Sequence, residues 1–317
     1  MRAFTCPVCT AMVFFENSRC LTCETELAFA WEPRTLVALD PPRRRCANAE
    51  LAACNWAVRD AGALCESCVL TRTRPGDPDA EGLEQFAEAE AAKRRLLFEL
   101  GELGLFGGAP DPAFPLAFDL LSSEPHPVAT GHADGLITLD LAEADDAHRE
   151  LMRQQLREPY RTVLGHFRHE IGHYFWPILV AGSEEAFRAL FGDEREDYGA
   201  ALQRHYDAGP PADWAERTVS AYATMHPWED WAETFAQYLH LHDAVQTAGA
   251  FGVRVADEPA PDPDAPIRAL VGDWLPLSYA LNAMNRSLGR GDLYPYVLTE
   301  PVIDKLAFVQ ERIAARR

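Results

Sequence analysis

Beyond Cys68 this chain of 317 residues contains no cysteine, and before position 75 it contains no lysine. The first absence confines thiolate chemistry to the N-terminal fifth. The second leaves residues 1–74 with nine arginines against eight acids, a formal charge of +1. The remainder carries 20 basic and 41 acidic residues, a charge of −21. A field of that sign repels phosphate, and the one basic cluster, Arg43–Arg45, reads as a solvated loop, so nucleic acid is a disfavoured partner. No stretch approaches the ~18 uninterrupted apolar residues of a membrane span. The opening MRAFTCPVCTAMVFF is broken by cysteines instead of forming an apolar run behind basic residues. Neither a signal peptide nor membrane attachment is therefore expected, and the expected compartment is the cytoplasm. Internal repeats are missing apart from two cysteine clusters. At 48% hydrophobic, the chain can bury one large or two modest cores.

The cysteines that are present have metal spacing. Cys6-x2-Cys9 and Cys20-x2-Cys23 frame ten residues, a short ribbon pattern. Cys46, Cys54, Cys65 and Cys68 form a second set with one tight pair, and its wider spacing leaves another pairing of the two sets open. Paired knuckles place four sulfurs around a tetrahedral zinc. A disulfide framework fits poorly with a chain expected in the cytoplasm. A ribbon module this small has little core, so zinc should supply folding energy.

HFRHEIGHYFW, residues 166–176, crowds three histidines and a glutamate onto an apolar, aromatic stretch. Apolar residues at 160, 163, 164, 167, 171, 174 and 175 have helical spacing, with Pro159 suited to the first turn. On a helix His169 and His173 lie one turn apart on one face, so their imidazoles can converge on one ion. Glu170 lies beside them and can approach the ion's open side without binding it. This is H-E-x-x-H, in which two histidines bind zinc and the glutamate serves as general base for a water. His166 shares the face, but one turn of helix is too straight to wrap three ligands around an ion, so a supporting role is expected for it.

A third ligand is needed. The metzincin pattern is excluded, because Trp176 stands where its glycine belongs and Leu179 where its last histidine belongs. AYATMHPWEDWAETFAQYLHLH, residues 221–242, offers a second helix opening at Pro227, with Glu229 and Glu233 four apart on one face. Acids on so apolar a helix are costly unless paired or metal-bound. Ala232 and Ala236 are small enough to let another helix approach.

This arrangement resembles a gluzincin, whose third ligand is a glutamate. The resemblance implies Glu229 as ligand and Glu233 as the acid that orients a zinc histidine, with the reverse assignment open. The run Glu229-x-x-Ala232-Glu233-x-Phe235, with Tyr222 seven residues ahead, is similar to the lethal-factor type, which implies that Tyr222 can donate to a developing oxyanion. CESCVLTRTRPGDP, AKRRLLFELGELGL, TGHADGLITLDLAEAD, EPYRTVLGHFRHEIGHYFW, HPWEDWAETFAQYLHLH and DWLPLSYALNAMNRSLGRGDLYPYVLT together resemble a bacterial family of zinc-binding metallopeptidases with an N-terminal zinc ribbon. What this implies is an α+β fold: a double zinc ribbon (1–74), then a mainly helical zincin-like domain (75–317) with a small antiparallel or mixed sheet.

Along the chain, 71–82 reads as a linker, 83–105 as a helix, 114–122 and 135–141 as strands, 146–157 as a helix and 257–266 as an exposed Pro/Asp loop. Zincins pair extended substrate with an edge strand before the metal helix, which makes 135–141 the expected peptide-binding strand. His132 is expected either to line the cleft or to cap a turn. The expected function is a zinc hydrolase cleaving peptide or isopeptide bonds, with one catalytic and two structural zinc ions. The competing class is a non-catalytic adaptor that binds a protein partner through ribbon and cleft.

Overall fold

A computed structural model describes residues 1–123, 127–145, 162–256 and 260–316. It divides into two compact units, Arg2–Phe167 and Arg168–Arg317 with Met1. The chain is α+β, with eight α-helices and four small sheets among the described residues.

In the first unit, three two-stranded antiparallel ribbons follow one another. They are β1 (Phe4–Thr5) with β2 (Met12–Val13), β3 (Leu27–Ala30) with β4 (Thr35–Ala38), and β5 (Arg44–Arg45) with β6 (Ala57–Val58). Their core is aromatic: Phe29 lies 4.9 Å from both Phe15 and Trp56, ring centre to ring centre. Helix α1 (Ala80–Glu102), capped by the Asp79 carboxylate on the Gly82 N–H, sends Phe98 into this cluster, 5.2 Å from Phe15 and 5.8 Å from Phe29. The ribbon core is therefore completed from beyond position 74, and the division by compactness falls at 167/168.

A four-stranded mixed sheet follows, in the order β7 (Thr71–Thr73), β8 (Ala117–Leu121), β10 (Leu136–Asp140), β9 (Gly131–Ala133). Two expectations change here. Thr71–Thr73 is an edge strand and not linker, fixed to β8 by the Arg72–Asp119 ion pair. The strand expected over 135–141 is interior, because β8 pairs one side of it and β9 covers residues 136–138 on the other. An extended peptide cannot add there without displacing β9. His132 caps the β9–β10 turn, its Nε2 accepting from the Gly135 N–H at 3.1 Å. Gly135 has φ +81°, and a Cβ there would lie 1.9 Å from the Pro115 carbonyl oxygen, so only glycine fits. The expected helix at 146–157 and the role of Pro159 lie outside the described residues.

Helix α2 (Val163–Leu179) carries the unit boundary. The second unit continues with α3 (Glu184–Phe191), α4 (Tyr198–Ala208), α5 (Trp214–Arg217), α6 (Pro227–Ala250), α7 (Ile267–Ser287) and α8 (Glu300–Arg316). Helix α6 is its axis. Trp231 packs against Phe187, Phe191 and Phe308, and His240 against Trp274 and Tyr294. The segment 273–299 thus buttresses α6, and Gln237 donates to the Tyr294 hydroxyl at 2.5 Å. No described helix is long and apolar enough to cross a membrane.

Candidate metal centre

The two helices that carry the site must come close, and a glycine permits it. A Cβ on Gly172 would stand 3.0 Å from the Ala232 Cα and 3.3 Å from the Phe235 Cβ. The Gly172 carbonyl accepts from Trp231 Nε1 at 2.8 Å, which fixes α2 against α6 in rotation. Helix α6 starts where Pro227 sets the first turn. Its N-cap is His226, whose Nδ1 accepts from the Trp228 N–H at 3.2 Å. The other ring nitrogen, Nε2, must then carry the proton and donates to the Glu196 carbonyl at 3.2 Å. One buried histidine therefore ties the segment before α4 to the start of α6.

Three side chains meet at this seam. His173 Nε2 lies 3.2 Å from His169 Nε2, and Glu229 Oε2 lies 3.0 Å from His169 Nε2 and 3.5 Å from His173 Nε2. Ligands bound at zinc's usual 2.0–2.1 Å, at the corners of a tetrahedron, sit about 3.3 Å apart. The donor atoms already have that spacing. On the far side of His169, Nδ1 meets Glu233 Oε1 at 2.7 Å, which directs Nε2 to the shared point. Glu229 Oε1 turns away and accepts from the Tyr198 hydroxyl at 2.9 Å. Of the expected pair of acids, Glu229 joins the cluster and Glu233 backs a histidine. His166 stands apart from the three-donor group, 3.9 Å from Glu143.

The electrostatics ask for a cation. Burial opposes charge on His169, yet its hydrogen bonds to Glu229 and Glu233 outweigh this and raise its pKa well above the ordinary value. Burial likewise pushes Glu229 up, but His169 and His173 hold it well below the usual carboxylate range. Glu170 is different: burial raises its pKa, and the neighbouring histidines only partly offset this. A buried acid with raised pKa beside the cluster is a competent proton acceptor. His169 and His173 keep 15% and 19% side-chain exposure, so the metal position can be reached from solvent. Tyr222, in a 3-10 turn before α6, has its ring 6.1 Å from that of His169, and burial beside Glu229 pushes its phenol pKa up.

The cysteines form two groups of four, Cys6/Cys9/Cys20/Cys23 and Cys46/Cys54/Cys65/Cys68, each with its sulfurs within 4.8 Å of one another. Sulfur pairs stand 3.6 Å apart, too far for a disulfide and close to the ~3.8 Å edge of a tetrahedron with 2.3 Å zinc–sulfur bonds. Both knuckles of the first group close on a residue in the left-handed region, Thr10 and Glu24, whose N–H groups donate to the Cys6 and Cys20 carbonyls.

Sequence reading missed Tyr198, His226 and Gly172. The pair His226-Pro227 carries an N-cap signal that could have been found. Tyr198 carries none, being 31 positions from the glutamate it touches.

Four-thiolate ribbons joined to a two-histidine, one-glutamate cluster define a zinc-binding protein. Its family follows from the match: the chain belongs to the family described as "Putative zinc-binding metallo-peptidase", which it matches over residues 82–312, with a zinc-ribbon domain over residues 3–79. Similar proteins include "Uncharacterized protein Rv2568c" of Mycobacterium tuberculosis and "Uncharacterized protein Mb2598c" of Mycobacterium bovis. Each is 51% identical over 322 aligned positions, covering 98% of this chain and 94% of the relative. No solved structure matches it.

Proposed function

We propose that the protein is a gluzincin-type zinc hydrolase that cleaves peptide or isopeptide bonds, with one catalytic and two structural zinc ions. The observation that carries this reading is Glu170: a buried acid with raised pKa beside three donors that do not need it as a ligand. His169, His173 and Glu229 would hold the catalytic ion, and zinc there supplies Lewis acidity towards a carbonyl and lowers the pKa of water. Glu170 takes the proton of the attacking water and returns it to the leaving amine. Glu233 holds the His169 tautomer. Tyr222 donates to the developing oxyanion. The cytoplasm is the compartment we assign to this activity.

The test is a proteome-derived peptide library incubated with wild type and with Glu170→Gln, metal content being measured in both. Gln is nearly isosteric, so the mutant should keep its zinc and generate almost no new termini. Hydrolysis by Glu170→Gln as fast as by wild type would refute the mechanism. Equal inactivity of both proteins on peptides, isopeptides and small amides would favour the second reading, an adaptor. The observation behind that second reading is a set of exposed apolar side chains on the first ribbon, Val8, Met12, Phe14 and Leu21.

A further inference from the structure

We infer that Tyr198 is a positioning residue that makes Glu229 a one-oxygen ligand, an inference that rests on the zinc reading above. A carboxylate can give a metal one oxygen or both. Here the two oxygens of Glu229 have different neighbours. Oε2 faces the nitrogens of His169 and His173 at 3.0 and 3.5 Å, and Oε1 accepts from the Tyr198 hydroxyl at 2.9 Å. Tyr198 is the one hydrogen-bond donor to Oε1 among the described residues. Glu229 is nearly fully buried, so water cannot readily replace that donor. A hydrogen bond taken up by Oε1 draws its lone pair away from the metal. The glutamate then presents a single oxygen, and three protein ligands leave an open position, as a catalytic zinc requires.

The surroundings hold the phenol in place. Asp197 caps α4 by accepting from the Ala200 N–H at 2.7 Å, which sets Tyr198 at the first helical position. The Glu196 carbonyl is bound by His226, the N-cap of the helix that carries Glu229. The Tyr198 ring packs 5.2 Å from His226 and 6.4 Å from Trp228.

The experiment is Tyr198→Phe in the full chain, read by metal binding and not by turnover. Zinc affinity of the third site, from chelator competition, should fall about 10–100-fold, the scale of losing a partner behind a metal ligand. Cobalt(II) substituted at this site reports coordination directly, after subtraction of the His169→Ala spectrum, which retains only the two cysteine sites. Its visible absorption should weaken in Tyr198→Phe, as coordination rises from four towards five. The melting temperature serves as the control for packing, since a Phe preserves the ring contacts. Unchanged affinity and an unchanged cobalt spectrum would overturn the inference and leave the zinc reading intact. Equal metal content in wild type and His169→Ala would overturn both.

Discussion

At the residue scale, the two acids of α6 share a helix face and meet different nitrogens of His169. Glu229 meets Nε2, beside His173, and Glu233 meets Nδ1. A ligand and its support should fail differently. Glu229→Ala should release the third zinc outright, whereas Glu233→Ala should retain the site with affinity lowered about 10–100-fold. Zinc titrations of the two variants check this, and the reverse order of loss would exchange the two assignments. This much was legible in the sequence, because the i, i+4 spacing of each pair puts its members on one helix face. The choice between Glu229 and Glu233 is made by the gluzincin resemblance and not by the spacing. It depends on which turn of α6 lies level with His169, a matter of packing that no local pattern encodes. Tyr198 was hidden for the same reason, since its partner Glu229 lies 31 positions away, as was the bond from His226 to Glu196, 30 positions apart.

At the scale of elements, the seam between α2 and α6 decides whether a site exists at all. The small residue Ala232 on α6 is visible in the sequence, whereas Gly172 falls at an unspecified position of the H-E-x-x-H motif. The close approach needs both. Valine at 172 would drive its Cβ to 3.0 Å from the Ala232 Cα and add two methyl groups against Phe235. Overpacking of this kind typically costs about 1–3 kcal/mol. Separating the helices also spreads the His169–Glu229 donors, so Gly172→Val should lose zinc at the third site more severely than it loses stability. Denaturant unfolding and metal analysis of the same preparation check this, and full zinc occupancy in a destabilised Gly172→Val would show that the seam does not set the site. Elsewhere, short elements explain what the sequence hid. Strand β7 has three residues, too few for a period-two pattern, and so it reads as linker. The helix read at 83–105 is observed at Ala80–Glu102, three residues earlier at each end, but the burial of Glu90, Lys93 and Arg94 within it was not legible. Those charges face inward because they answer one another: Lys93 donates to Glu90 at 2.6 Å, and Arg94 donates to the Ala52 carbonyl at 3.1 Å beside the second cysteine group.

At the scale of the whole molecule, charge and metal are distributed together. The chain has only two lysines, Lys93 and Lys305, and both are buried in ion pairs, with Glu90 and Asp230. Each four-thiolate zinc site adds about −2 to a chain already at −20, so a cation near the second group has work to do. Arg94, buried beside this group and donating to the Ala52 and Ala53 carbonyls, is placed for it. The cysteine sites should therefore behave as parts of the fold, and the histidine site as an attachment to a fold that stands without it. Purified protein should hold about three zinc ions per chain. His169→Ala should hold about two and melt close to wild type, because its ring is partly exposed and the aromatic core around Trp231 is untouched. Cys54→Ser should also lose one ion but melt far lower, since binding at a structural site is folding free energy. Metal analysis with calorimetry on the three proteins separates these outcomes. A wild-type count of two with reactive thiols would remove the second ribbon site, and a count unchanged in His169→Ala would remove the histidine site.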